Sequence, residues 1–290
     1  MASFSPSDSH LIRLLLERVP EGKGDPSVAM GLLVSGLRKQ IRKKDGAICV
    51  EAFFRFRNVV DLQYRRELDC DGFVEPLGKE FRDGFRIVVN RSISATRASF
   101  TIAHELCHTF FYELVPEIKF SPHPTNEAEE RLCNVGAADL LMPRKAVLRS
   151  AKPLPVCLKS LETLANKFSV SQPAMLLQLR ALDIWKAELS SWTKLTNGSF
   201  AMESLVGGKY RDCNWIDRSP LRLAWETGKA SAGHACIECV DKTGRRGVLP
   251  VRYDLERRAN RVIVLWGTGV VRSNVREPSL FSCRAISNVA

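Results

Sequence analysis

The chain has 290 residues, of which 45% are hydrophobic and 26% charged, a globular composition long enough for two or three ordinary modules. That excludes a disordered tail and a miniature held together only by disulfides, and the longest apolar run, 262–271, is about half of a membrane span. The net charge of +11 and a pI near 9.4 are compatible with an acidic partner, and residues 186–290 carry 17 Lys/Arg against 10 Asp/Glu. Basic charge alone is weak support for nucleic-acid binding, and a solvated surface is the plainer reading.

The N-terminal stretch MASFSPSDSHLIRLLLERVPEG has neither a basic n-region ahead of an apolar core nor a small-residue cleavage site, so a cytoplasmic protein without membrane contact is expected. Nine scattered cysteines, an odd number, suit reduced thiols in that compartment.

In chain order, HLIRLLLERV reads as a short amphipathic helix and 27–44 as a second, with its basic end at its C-terminus. From Val50 to Asn90 aromatic and β-branched residues alternate with charges, broken by CDG at 70–72 and DG at 83–84, which predicts strands and turns. FRIVVN at 85–90 is the clearest strand. Helices are expected over 96–112 and over 126–141, the second with Asn126 as N-cap, Glu129 three residues on, and Pro143 as its stop. AKPLPV at 151–156 reads as a linker, and 161–185 as helix, tight turn, helix. Strands at 247–253 and 261–266 mark a strand-rich last third.

The chemistry is concentrated in TIAHELCH, 101–108. On a helix, Phe100, Ala103, His104, Cys107, His108 and Phe111 share one stripe, so both imidazoles sit one turn apart in an apolar face. That rise of about 6 Å lets both rings reach one tetrahedral ion. Glu105 lies about 100° round the helix from His104, where a carboxylate can take a proton from water without ligating the metal. A chance match of this pattern is rare, on the order of one per cent for a chain with so few histidines.

A catalytic zinc wants a third protein ligand and an open position. Helical periodicity places Glu130 with Cys133, Asn134, Ala137 and Leu141, a carboxylate aimed into a buried stripe, with Glu129 and Glu127 as second choices. Asn134, one turn on, is placed to hydrogen-bond a ligating side chain.

FTIAHELCH, some twenty residues, then EERLCNVGAADLLMP resembles the ImmA/IrrE family of bacterial metallopeptidases, strongly over about 70–145. Gly136 and Cys133 depart from the family, which commonly has a bulky aromatic and an alanine there. The resemblance implies an α+β chain: a zincin-like peptidase core (1–150), a helix-turn-helix-like segment (151–188) and a C-terminal α/β or β-rich domain (189–290), GAF-like in IrrE-type relatives. It implies Zn2+ on His104, His108 and Glu130, with Glu105 as general base. It also implies a protein substrate, a helix-turn-helix repressor whose cleavage relieves repression in a stress or mobile-element response.

Beside the resemblance, FRIVVN at 85–90 reads as an edge strand that could receive the peptide by strand addition. Tyr112 and His123 read as structural. Only Arg180 is well placed for DNA in the second helix of 161–185, so packing on the core is the favoured role there. HACIEC at 234–239, with Cys213 and Cys283 elsewhere, is a lone CxxC and reads as a strand with two small buried thiols rather than a second zinc site. The rival functions are a DNA-binding regulator on a peptidase-like scaffold and a component that sequesters its partner uncut.

Overall fold

A computed structural model describes residues 6–22, 24–41, 46–78, 83–114 and 127–267. Its contacts divide the chain into two compact units, one of residues 1–154 and 159–186, the other of residues 155–158 and 187–290. No helix among the described residues is long and apolar enough to cross a membrane.

The first unit opens with α1 (Pro6–Arg18) and α2 (Pro26–Lys39). Asp25 caps α2, its Oδ1 accepting from the amides of Ser27 and Val28 at 2.8 and 3.3 Å, and Pro26 fits the first helical position, where no amide is needed. The predicted helix was longer; α2 ends at Lys39, and residues 42–45 lie outside the described part. Val50–Phe56 is a 3₁₀ segment rather than the expected strand, because Val50 and Phe53, three residues apart, are the pair that must be buried together.

Three strands follow: β1 (Val59–Arg65), β2 (Gly72–Pro76) and β3 (Phe85–Asn90). Their order is β1-β3-β2, with β1 parallel and β2 antiparallel to β3. The expectation that 85–90 is an edge strand is therefore corrected: β3 is central. Its run of Ile87, Val88 and Val89, all fully buried, is what a strand covered on both faces requires. Arg86 bridges the whole sheet on one face, reaching Asp61 of β1 at 2.6 Å and Glu75 of β2 at 2.8 Å.

The other face carries α3 (Ala95–Leu114), capped by the Ser94 hydroxyl on the Arg97 amide at 3.4 Å. The predicted single apolar stripe understates α3. From Thr101 to Tyr112 every residue is buried except His104, which is partly exposed. Sheet, α1 and α4 (Glu127–Leu141) surround it. Two glycines permit the close approach. A Cβ at Gly72 would lie 2.6 Å from Thr101 Cγ2, and one at Gly136 would lie 2.6 Å from Cys107 Sγ and 3.1 Å from Met30 Sδ. The volume a bulky side chain would take at 136 is thus filled by Cys107 and Met30. Asn126, expected as the N-cap of α4, lies outside the described residues.

After α5 (Arg144–Ala151), α6 (Leu158–Phe168) and α7 (Gln172–Ala181) form the predicted helix–turn–helix, with Ser171 capping α7 through the Ala174 amide at 3.2 Å. Residues 159–186 group with the first unit. Gln178, buried in α7, donates to Asp139 Oδ1 at 3.1 Å and to the Met142 carbonyl at 3.0 Å.

The second unit is a six-stranded antiparallel sheet, built from β4 (Ala187–Lys194), β5 (Phe200–Val206), β6 (Tyr210–Trp215), β7 (Ser231–Asp241), β8 (Arg246–Arg258) and β9 (Arg261–Gly267). The order is β5-β4-β9-β8-β7-β6, and α8 (Ser219–Thr227) joins β6 to β7, ending on Gly228 in the left-handed region. Trp192, Trp215, Trp266 and Phe200 dominate its core, with Leu221 and Ala224 of α8. The strand-rich last third agrees with the sequence reading.

HACIEC lies within β7. Cys236 and Cys239, three apart on a strand, point to opposite faces: Cys239 is buried opposite Cys213, while Cys236 is half-buried opposite Pro250. The expectation of two buried thiols at 236 and 239 is therefore corrected: the buried pair is Cys213 with Cys239, one from each strand, and the two cysteines of the CxxC lie on opposite faces. Cys283 lies outside the described residues.

Candidate metal centre

α3 contributes His104 and His108, and α4 contributes Glu130. Their ligand-type atoms form a small triangle: His104 Nε2 to His108 Nε2 is 3.0 Å, His104 Nε2 to Glu130 Oε2 is 3.2 Å, and His108 Nε2 to Glu130 Oε1 is 3.1 Å. Two ligands on one tetrahedral ion with bonds of about 2.0–2.1 Å stand about 3.3 Å apart, so the observed triangle has the right size.

Helix α4 also holds the far side of each ring. Asn134 Oδ1 lies 3.1 Å from His104 Nδ1, the hydrogen bond the sequence suggested, and Glu129 Oε1 lies 2.6 Å from His108 Nδ1. Both oxygens can only accept, so both Nδ1 atoms donate, and in the neutral rings each Nε2 turns a lone pair toward the centre. Glu130 Oε1 is buried and makes no hydrogen bond among the described residues, although His108 Nε2 is close. Lone pairs of two imidazoles and a carboxylate converging within hydrogen-bond distance repel unless positive charge lies among them. A divalent cation meets that need at all three atoms, so the donor set fits a metal.

The electrostatics agree. Burial works against charge on Glu130, yet the adjacent His104 and His108 imidazoles bring its carboxyl down to about 2. Burial likewise works against charge on His108, but Cys133, Glu129 and Glu130 outweigh it and hold the imidazole well above its ordinary value. Burial pushes the Cys133 thiol up to about 12, so at neutral pH the charge beside His108 comes from the two carboxylates.

Glu105 sits beside the triangle, 7% exposed and close enough to feel both imidazoles and Glu130. Burial raises its carboxyl above the usual range, and a hydrogen bond from the Val74 backbone partly offsets the rise. That bond has a topological cause. Leu77 N donates to Gly84 O and Asn90 N to Asp71 O, so odd-numbered residues of β2 bond to β3 while the amides of Gly72 and Val74 face outward.

The predicted residues thus come together, with one change of setting. The buried face of α4 runs through Ala128, Leu132, Cys133, Gly136 and Leu140, and Glu130 and Asn134 stand at its margin instead of inside it. Glu130 keeps 34% side-chain exposure against 7% for His108, so the triangle has a deep corner and an open one. Tyr112 packs its ring on Phe85 at 5.6 Å, and burial raises its hydroxyl to about 12. His123 lies outside the described residues.

Two contributors escaped the sequence reading. Glu129 had the signature of a capping-box residue or a substitute ligand. Arg57, buried beneath α3, donates from Nε to Thr109 Oγ1 at 2.9 Å and lies 3.9 Å from the Phe110 ring centre; no local pattern marks it.

The sequence model of the IrrE N-terminal-like domain family matches residues 68–180. No curated protein matches the chain. Among solved structures, a Mycobacterium tuberculosis transcriptional regulator aligns at 11% identity with a TM-score of 0.45, over 88% of this chain and 80% of that one. Residues 68–180 contain β2, β3, both motif helices and every side chain of the triangle, and over them the chain is similar to the IrrE N-terminal-like domain family.

Proposed function

We propose that the chain is a zinc-dependent endopeptidase whose substrate is a helix-turn-helix repressor, cleaved to relieve repression. The observation that carries this reading is the triangle of His104, His108 and Glu130, with its lone pairs converging and Glu105 buried at its side. His104, His108 and Glu130 would hold the zinc, which would supply Lewis acidity toward water and a peptide carbonyl. Glu105, its carboxyl raised by burial, would accept the proton of the attacking water and return it to the leaving amide nitrogen. A scaffold that only bound a partner would gain nothing from a buried carboxylate there, since Glu105 is not a member of the ligand triangle.

Substrate presentation falls to β2, now that β3 is known to be central. Among the described residues β2 has a free edge, and Gly72 and Val74 turn their backbone groups toward it. The Val74 amide is engaged by Glu105 and Pro76 has no N–H, so a peptide strand would pair with Gly72 and the Val74 carbonyl. The repressor as substrate rests on the family resemblance, as does a sensor role for the six-stranded unit.

The test is incubation of the purified chain with a helix-turn-helix repressor, taken from a neighbouring gene where one is found, with and without a chelator. Glu105→Gln should keep fold and zinc while cleavage falls by roughly 10²- to 10⁴-fold, whereas His104→Ala and Glu130→Ala should lose the metal too. Unchanged cleavage by Glu105→Gln would sink the peptidase reading. A DNA-binding role has less support, since α7 buries Met175, Leu176, Gln178 and Leu179 and has Arg180 as its single basic residue. A gel-shift titration against salt checks it.

A further inference from the structure

Two sets of ligand-type atoms share His108: one with His104 and Glu130, the other with Glu129 and Cys133. Bond lengths separate their roles. The first set has edges of 3.0–3.2 Å, near the spacing of two ligands on one ion. In the second, Glu129 Oε1 approaches His108 Nδ1 to 2.6 Å. That is well inside the roughly 3.3 Å expected across a tetrahedral ion, and it is the short end of a charge-assisted hydrogen bond. The second set is therefore not a second metal site.

We infer that Glu129 is the positioning residue of the metal centre: its carboxylate fixes His108 as the Nδ1–H tautomer, locks the ring's rotation and aims Nε2 at the ion. This rests on the reading of His104, His108 and Glu130 as metal ligands. The contact is shielded, with side-chain exposures of 7% for His108 and 13% for Glu129, so salt and water screen it little. Cys133, fully buried one turn after Glu129, closes the same side.

Asn134 does the corresponding task for His104 with a neutral oxygen at 3.1 Å and on an exposed residue. A carboxylate also raises the basicity of the imidazole it holds, which an amide does much less. The two rings are thus held unequally, His108 as the deep, strongly supported ligand and His104 at the solvent side. α4 does all this from one short stretch: Glu130 ligates, Glu129 holds one ring, and Asn134 holds the other.

The experiment is zinc affinity by competition with a chromophoric chelator, for wild type, Glu129→Gln, Glu129→Ala and Asn134→Ala, with circular dichroism as the check on folding. Glu129→Gln keeps the side chain's size and so guards against a folding artefact. Removing the carboxylate should weaken zinc binding roughly 10- to 100-fold, and Asn134→Ala should weaken it less. Two-bond 1H–15N correlation spectra of the zinc-loaded protein should show His108 as Nδ1–H in wild type and a broadened or shifted ring signal in Glu129→Ala, a change that a purely packing role would not produce. If wild type binds zinc and both Glu129 variants bind it equally well, Glu129 is no positioning residue and the metal centre stands. If wild type itself binds no zinc, the metal-centre reading falls first.

Discussion

The metal centre of the first unit and the tryptophan cluster of the second bury their polar atoms differently. In the first, around α3 and α4, two Nε2 atoms and a carboxylate converge within 3.0–3.2 Å of one another. In the second, donors meet acceptors: the single hydroxyl of Ser190 accepts from Trp192 Nε1 at 2.9 Å and from Trp266 Nε1 at 3.2 Å, in a core of stacked and tilted rings. Trp215 Nε1 has no acceptor among the described residues, yet it stands against the Tyr253 ring, 5.0 Å between centroids. Polar groups that satisfy each other stabilise a core. Polar groups that converge unsatisfied call for something from outside the chain, and the proposed function makes that a cation.

The sharpest way to break this contrast is to remove the cation. Zinc at about a thousand times its dissociation constant should stabilise the first unit by roughly 4 kcal/mol, and a chelator should abolish that gain and all peptidase activity. Differential scanning calorimetry should show one transition moving with zinc and the other not. If both moved equally, the contrast between the units would be wrong.

Next in size is the aromatic core. Trp266→Ala removes a side chain that is 1% exposed and should cost about 3–5 kcal/mol. Urea denaturation should register the loss, while zinc stoichiometry under native conditions stays at the wild-type value.

Smaller effects sharpen the comparison. Gly136→Ala places a Cβ against Cys107 Sγ and Met30 and should destabilise the first unit by about 1–3 kcal/mol without changing the ligand set. Ser190→Ala leaves two buried indole N–H groups without their acceptor and should cost a comparable 1–3 kcal/mol or so. That loss should appear in thermal melts followed by tryptophan fluorescence, with no effect on metal affinity.

Much of the site was legible because one helix carries most of it. A spacing of four in HELCH puts two imidazoles on one side of α3 whatever surrounds it, and periodicity alone put Glu130 and Asn134 on the side of α4 that meets them. Legibility stopped where partners come from distant segments. EAFFRF within 50–56 has the aromatic texture of a strand and folds as a 3₁₀ turn because Val50 and Phe53 enter the same core. FRIVVN was recognisable as a strand but not as a central one, since an apolar run does not say on how many sides it is paired. Glu129 looked like a cap because capping is a local rule, while its bond to His108 spans 21 residues.

Sequence by itself determined the candidate ligands, the general-base candidate and the helices that bear them, because helical geometry converts residue spacing into direction without reference to the rest of the chain. Tertiary structure decided which ring nitrogen faces the centre, which corner of the triangle is open, which strand offers an edge, and that the buried thiol pair lies across two strands. Those depend on register and on packing between segments far apart in the chain, and neither leaves a periodic trace in the order of residues.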